Sequence, residues 1–431
     1  MMNFKKYPKY KKSGIAWLGE IPEHWKDIDV RKAFIKNEVK NKKLQEVNLL
    51  TLSYGSIKRK NIKTANGLLP ASFDNYQILQ KGMIVLRMLD LQNDKNSLRV
   101  GYVKEQGIIT SAYIGLESKI DSNTKYFYYL LHFMDLIKHF YNGGGGVRQS
   151  IGYTDFRREL IILPKKTEQT AIANFLDYKL EKIDRFITKK KQLIELLKEQ
   201  KAAIINQAVT KGLDKNAKMK PSGIEWLGDI PESWEVRNTF EYFINRKIKN
   251  VGLSNTNRLS LSYGQIIPKS ILDSNGLVPN SYETYQIVEP GNIIFRFTDL
   301  QNDKKSLRTG LVNELGIITS AYVAIEPINV DYNSNYFHLL FHSYDLSKVF
   351  YNIGGGVRQS MSFTVLRKIK ICCPSLIEQK KIVQYIETET TKIAKTISTI
   401  AKEIALVEEY KTALIAEAVT GKIDVRKWSE P

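Results

Sequence analysis

Ser13 to Trp25 reads SGIAWLGEIPEHW, and Ser222 to Trp234, 209 positions later, reads SGIEWLGDIPESW. The same offset joins LSYG at Leu52 to LSYG at Leu261, LQNDK at Leu91 to LQNDK at Leu300, and GIITSAY at Gly107 to GIITSAY at Gly316. Between Thr51–Glu117 and Ser260–Glu326, 38 of 67 aligned positions are identical, too many for chance recurrence of short motifs. One inserted residue then moves the offset to 210: GGGVRQS recurs at Gly144 and Gly354, and QAVTKG at Gln207 is answered by EAVTGK at Glu417. The chain is two copies of one unit. An internal pseudo-twofold axis is expected, and a ligand with its own twofold axis, such as duplex DNA, suits it.

The duplication divides 431 residues into two units of roughly 200, each long enough to bury its own core. Hydrophobic residues at 43% and charged residues at 26% are those of an ordinary globular protein, and no uncharged apolar run is long enough for a membrane span. The opening MMNFKKYPKYKK carries positive charge with no apolar stretch behind it, so a cytoplasmic protein is expected. Cys372 and Cys373 are the only cysteines and read as small hydrophobes in a strand running into Pro374. The 65 Lys and Arg against 45 Asp and Glu leave a net charge of +20, which fits a polyanionic partner.

Each unit opens with short alternating apolar and polar runs, such as VNLLTLSYG and ILQKGMIVLRM, broken by Asn66-Gly67 and Asn275-Gly276 turns. Helices are expected over Lys125 to Tyr141 and Asn335 to Tyr351, ended by the glycine runs that follow. The period then changes. With heptad position a at Leu176, Ile183, Lys190, Leu197 and Ile204, position d falls on Leu180, Ile187, Ile194, Lys201 and Ala208. Moved by 210, the frame puts Ile386, Ile393, Ile400, Val407 and Leu414 at a, and Thr390, Ile397, Ile404, Lys411 and Ala418 at d. These are two long coiled-coil helices of about 42 residues, roughly 60 Å each. Connectivity makes an intramolecular pair antiparallel. Lys201 and Lys411 read either as polar specificity devices or as snorkelling side chains. The fold class is therefore α+β: two β-rich mixed globular domains separated by two long antiparallel coiled-coil helices.

Catalytic motifs are missing. Gly421-Lys422 is followed by Ile423, not Ser or Thr, so no phosphate loop forms, and no Asn/Asp-Pro-Pro-Tyr stretch presents a base to a methyl donor. The acidic-x-Lys triplets at Glu199 and Glu378 lie in or at the start of the long helices without a preceding Pro-Asp. His338 and His342 have metal-binding helical spacing, but the first copy holds Tyr128 and His132 there, so a metal role is not expected. Polar and basic residues gather instead in segments both copies share. Gly144 to Ser150 and Gly354 to Ser360 combine close backbone approach with Arg148 and Gln149, and with Arg358 and Gln359, side chains suited to bidentate base-edge contacts, each followed by a serine, Ser150 or Ser360, in the same candidate DNA-binding loop. Gln92, Asn93 and Lys95 with Arg99, and Gln301, Asn302 and Lys304 with Arg308, form a second candidate loop whose amides suit adenine and whose cations suit phosphate. Tyr54 and Tyr263, in Ser-Tyr-Gly turns, and the Thr110 to Tyr113 and Thr319 to Tyr322 stretches add hydroxyls and aromatic rings suited to backbone hydrogen bonds.

The duplicated opening, the GGGVRQS loop, the Pro164-Lys-Lys-Thr-Glu168-Gln169 and Pro374-Ser-Leu-Ile-Glu378-Gln379 helix starts, and the closing QAVTKG and EAVTGK segments resemble the specificity (S) subunits of type I restriction-modification systems over essentially the whole length. Lys165-Lys166 and Ser375 stand where a second proline is common in that family, which leaves the helix start angle open. The resemblance implies target recognition domains at 1–164 and 214–374, a conserved spacer helix at 165–213, and a second with a C-terminal tail at 375–431. It implies a non-catalytic reader of a bipartite double-stranded DNA site on which two methyltransferase (M) subunits and restriction (R) subunits assemble. The M subunits would bring S-adenosylmethionine and the R subunits ATP and Mg, so no cofactor is expected in this chain. A stand-alone methyltransferase or nuclease, and an architectural DNA-binding protein without sequence preference, are the alternatives.

Overall fold

The computed structural model describes residues 4–60, 72–91, 98–142, 150–270, 281–298, 300, 307–329, 332–351 and 360–430. In each copy the opening motif builds a small antiparallel hairpin, Tyr10–Lys12 with Glu20–Pro22 and Met219–Pro221 with Asp229–Pro231. Gly19 and Gly228 take φ of +72° and +64°, and their carbonyls accept from the Ser13 and Ser222 amides at 2.8 and 3.1 Å. The hairpin carries Ile21 and Trp25, or Ile230 and Trp234, into the core, where all four are fully buried.

The centre of each copy is a four-stranded antiparallel sheet. Its order is Phe34–Lys36, Ile114–Ser118, Ile84–Leu86, Val100–Tyr102 in the first copy and Phe243–Arg246, Val323–Pro327, Ile293–Phe295, Thr309–Leu311 in the second. Two-stranded ribbons flank it, Leu50–Ser53 with Ser56–Arg59 and Gln77–Leu79 with Gly107–Ile109, each with its counterpart. Lys26–Asp29 pairs with Leu160–Leu163, and Glu235–Asn238 with Lys370–Cys373, so the stretch before each long helix is tied to the start of its own copy.

The long helices are Lys166–Lys211 and Leu376–Val419. The Glu-Gln pair at each start has a physical task. Gln169 Nε2 donates to Pro164 O at 2.9 Å while its Oε1 accepts from the Asn123 amide at 2.8 Å, and Gln379 repeats this with Pro374 and Asn333 at 2.9 and 3.0 Å. Glu378 accepts from the Trp234 indole at 3.0 Å, and Glu168 from the Trp25 indole at 3.5 Å and from His24 at 2.9 Å.

Contacts divide the chain into two units, Met1–Lys190 with Ala401–Pro431, and Lys191–Ile400. Each unit holds the first part of one long helix and the last part of the other. In unit one the two run antiparallel, with Asp184 bonded to Lys411 at 2.5 Å and Lys190 to Glu403 at 2.7 Å. Leu176, Leu180, Leu414 and Ala418, all on the heptad seam, share its core with Trp25 and Tyr126. In unit two Ala208 and Ile386 of the seam join Ile205, Val209 and Ile382 around Trp234 and Tyr336. The two d-position lysines differ: Lys411 is ion-paired across the seam, whereas Lys201 is exposed. Gly212 and Gly421, at φ of +74° and +72°, end the helices one alignment position apart. The swapped lysines still meet equivalent carbonyls, Lys211 that of Asp229 and Lys422 that of Glu20.

One expectation is revised. The helices after Asn123 and Asn333 stop at Leu136 and Leu346, ahead of the glycine runs, because Lys138 and Lys348 take φ of +59° and +61° and start a separate short 3-10 turn. Within unit one, the C-terminal tail folds back on the beginning of the chain. The Asp424 amide donates to Lys5 O at 2.7 Å, Arg426 lies over Tyr7 at 4.8 Å, and Trp428 meets Phe175 edge to face at 5.4 Å.

Cys372 is buried and its thiol is pushed up to about 12 by that burial, the state of an inert core residue. Burial lowers His132 to about 4, with help from the Lys411 cation, and lowers His338 to about 4, with help from His342. An unfolded histidine takes up its proton near 6.5, so the unfolded chain binds protons first on acidification. The stability these imidazoles contribute is complete above about pH 6.5 and is lost as pH falls toward 4. Asp345, raised to about 6 by burial, opposes this over the lower part of the range. Urea midpoints should fall between pH 7 and pH 4.5, and joint replacement of His132 and His338 by Phe should flatten the slope. An unchanged slope in that variant would contradict the assignment.

Candidate nucleic-acid interface

Gln92, Asn93, Lys95, Arg148 and Gln149, with Gln301, Asn302, Lys304, Arg358 and Gln359, lie outside the described residues. The ends of the segments that carry them are described, and in each copy they meet. The Ile151 amide donates to Met88 O at 3.0 Å and the Met361 amide to Phe297 O at 3.2 Å, which joins the end of the glycine segment to the strand leading into the Gln-Asn-Asp-Lys segment. Ser150 and Ser360, one residue earlier, are exposed. The Gly55 amide donates to Leu98 O at 3.2 Å, so the Ser-Tyr-Gly turn rests on the residue that follows that segment. Gly264 sits the same way against Leu307, where a Cβ would lie 3.0 Å from Leu307 Cδ1. The Ser-Tyr-Gly turn and the described ends of the other two segments, far apart in sequence, are thus brought together in each copy.

Arg99 and Arg308 tie together the ends of two of these segments, in a role different from the expected phosphate contact. Both are fully buried. Arg99 Nη1 donates to Leu89 O at 2.7 Å and Arg87 O at 3.2 Å, Nη2 to Asp90 O at 3.3 Å, and Nε to the Tyr141 hydroxyl at 2.8 Å. Its amide donates to Asp135 Oδ2 at 2.5 Å. Arg308 repeats the pattern with Thr298 O at 2.7 Å, Arg296 O at 3.4 Å, the Tyr351 hydroxyl at 3.3 Å, and Asp345 bonded to its amide. A guanidinium suits this task because five donors in a rigid fork satisfy several carbonyls that have left the sheet ladder. The tyrosine rings also receive cations: Arg99 and Lys138 lie 5.1 and 4.8 Å from the Tyr141 centroid, and Arg308 and Lys348 lie 5.6 and 4.5 Å from that of Tyr351. Burial pushes the Asp345 carboxyl up to about 6, against the bond from the Arg308 amide and the charges of Lys348 and Arg308. Sequence reasoning missed Tyr141, Asp135 and their counterparts, although each recurs at the 210 offset.

The Thr110 to Tyr113 and Thr319 to Tyr322 turns are held from below. Buried Gln77 donates through Nε2 to Thr110 O and Tyr113 O at 3.1 and 2.7 Å, and Gln286 to Thr319 O and Tyr322 O at 3.1 and 2.8 Å. Tyr54 and Tyr263 are 75% and 83% exposed. Where the copies diverge, the structure sorts the positions: Met88 and Phe297 are core, whereas Lys58-Arg59 and Ile267-Pro268 are exposed on the ribbon behind the tyrosine turn. His338 and His342 lie with ring centroids 6.1 Å apart, and no group of three or more potential metal-ligating side chains occurs among the described residues. No described helix is long and apolar enough to cross a membrane.

A duplicated β-rich domain paired with antiparallel helices, in a chain of net charge +20, fits a nucleic-acid partner. Residues 38–196 and 314–407, more than half of the chain, match the family model described as the type I restriction modification DNA specificity domain. The chain belongs to that family, whose members are non-catalytic and confer DNA target specificity on restriction-modification complexes. It is similar, at 24% identity over 99% of both chains, to a Methanocaldococcus jannaschii protein assigned as the MjaX type I restriction enzyme specificity subunit. Its fold is that of two solved chains, each 12% identical and each matched over 94% of this chain. One comes from a study of complex assembly and conformational transition of the type I R-M system, with a TM-score of 0.67 and 99% of that chain covered. The other is the HsdS subunit from Thermoanaerobacter tengcongensis, with a TM-score of 0.50 and 98% covered.

Arg99→Ala should destabilise the fold by about 3–5 kcal/mol, the cost of stranding the buried groups it joins. Urea unfolding measures this, against Lys58→Ala as an exposed control expected within about 0.5 kcal/mol of wild type. A direct phosphate contact would instead leave stability unchanged and lower the salt slope of DNA binding by about one.

Proposed function

We propose that this chain reads a bipartite, quasi-palindromic duplex DNA site, one half-site per copy, within a complex of two methyltransferase subunits and restriction subunits in the cytoplasm. Residues 1–164 and 214–374 act as target recognition domains, and 165–213 and 375–431 as spacer and docking platform. The observation that carries this reading is the convergence, in both copies, of the Ser-Tyr-Gly turn and the ends of the Gln-Asn-Asp-Lys and Gly-Val-Arg-Gln-Ser segments. Base-edge contacts are assigned to Gln92, Asn93, Arg148 and Gln149 and their counterparts Gln301, Asn302, Arg358 and Gln359, with Lys95, Lys304, Ser150 and Ser360 on the backbone. Arg99 and Arg308 act through the segments they anchor. A methyl group from S-adenosylmethionine and translocation driven by ATP with Mg belong to the partner subunits.

Because LQNDK, GIITSAY and GGGVRQS are the same in both copies, the half-sites form an imperfect inverted repeat, with differences traced to the exposed Lys58-Arg59 and Ile267-Pro268 pairs. Arg148→Ala and Arg358→Ala should each cost roughly 1–3 kcal/mol of specific binding with the fold intact. Competition between the target duplex and a random-sequence pool measures it. Wild-type affinity in both variants would refute the loop assignment, and equal affinity of the unaltered chain for both DNAs would support an architectural protein instead.

A further inference from the structure

Tyr54 and Tyr263 occupy a position where neither the fold nor the turn calls for tyrosine. Each is the first of two residues connecting a tight ribbon, Ser53 pairing with Ser56 and Ser262 with Gln265. Both connecting residues have positive φ, 46° and 76° for Tyr54-Gly55 and 47° and 80° for Tyr263-Gly264. Such a turn favours Asn, Asp or Gly at its first position, and a bulky aromatic residue there is held against its backbone preference. Burial offers no compensation: at 75% and 83%, these are the two most exposed large hydrophobic side chains among the described residues. The strand that follows diverges between the copies, Ser56, Lys58 and Arg59 facing Gln265, Ile267 and Pro268, yet the tyrosine is kept in both. Strain retained at an exposed position where folding gains nothing marks a functional contact.

The surroundings indicate with what. Each turn rests on Leu98 or Leu307, the residue leaving the Gln-Asn-Asp-Lys segment, so the tyrosine stands beside the described end of that segment. We propose that the Tyr54 and Tyr263 rings are specificity-determining contacts, each packing as an apolar plate against a base of its own half-site in duplex DNA. This rests on the reading of those segments as the DNA-facing surface. The ring makes the contact and the hydroxyl is dispensable, since an exposed aromatic face offers apolar packing to a base edge in the groove, such as the thymine methyl.

The test uses the full chain, its target duplex and a scrambled duplex of equal length, with Tyr54→Asn, Tyr263→Asn and the two Tyr→Phe variants. The Asn variants should melt at or above the wild-type temperature, because Asn suits the turn, and should lose about tenfold or more in affinity for the target duplex. Their affinity for scrambled DNA should stay within about twofold, and the Phe variants should bind the target nearly as wild type does. Wild-type target affinity in the Asn variants overturns the proposal. So does a loss in the Phe variants equal to that in the Asn variants, which would give the contact to the hydroxyl, or a clear fall in melting temperature on Tyr→Asn, which would make the ring a folding element. Failure of the unaltered chain to distinguish target from scrambled DNA would instead remove the reading of the chain as a sequence reader, and the proposal with it.

Discussion

Everything in this protein depends on the way each core is closed by the end of a helix that begins in the other copy. In unit one the Tyr126 hydroxyl donates to Val419 O at 3.1 Å, with Leu414, Ile415 and Ala418 buried around it. In unit two the Tyr336 hydroxyl donates to Val209 O at 3.1 Å, with Ile205 and Ala208 in the same place. Fully burying one such aliphatic side chain contributes about 1.5–3 kcal/mol, so a copy without its visiting helix end would forgo a sum comparable to the net stability of a domain. Neither copy is therefore an independent module. Each half completes the core of the other.

On that support the polar work is divided between rigid and variable parts. Buried Gln77 and Gln286 hold one turn, buried Arg99 and Arg308 tie two segment ends to one anchor, and Gln169 and Gln379 fix the helix starts. Each satisfies backbone groups that would otherwise be buried without partners. With the framework satisfied from within, exposed residues are released from structural duty. This explains how Lys58-Arg59 could become Ile267-Pro268 while the surrounding ladder kept its register.

The duplication, the heptad seam and the absence of catalytic motifs were legible because each is a local or periodic property of sequence. Burial of a charged residue is not. Arg99 follows Gln-Asn-Asp-Lys and resembles a phosphate contact until Asp135 and Tyr141, some 40 residues away, are seen to enclose it. The helix end at Leu136 was equally hidden: no glycine or proline stands there, and Lys138 adopts positive φ beside the Tyr141 ring its ammonium covers. Asp135, Tyr141 and Gln77, none of them a candidate by residue type, have exact counterparts in the other copy. Matching positions inside one chain mark structural anchors as readily as contact residues, and only three-dimensional packing separates the two.

The most direct test of the account is a single-molecule map of methylated adenines in a host carrying this chain with its methyltransferase partner. If the segments shared by the two copies make the base contacts, as proposed, the motif is bipartite and its half-sites agree, as an inverted repeat, beyond chance. A single contiguous motif, or two half-sites with no more inverted agreement than random sequences show, would contradict it.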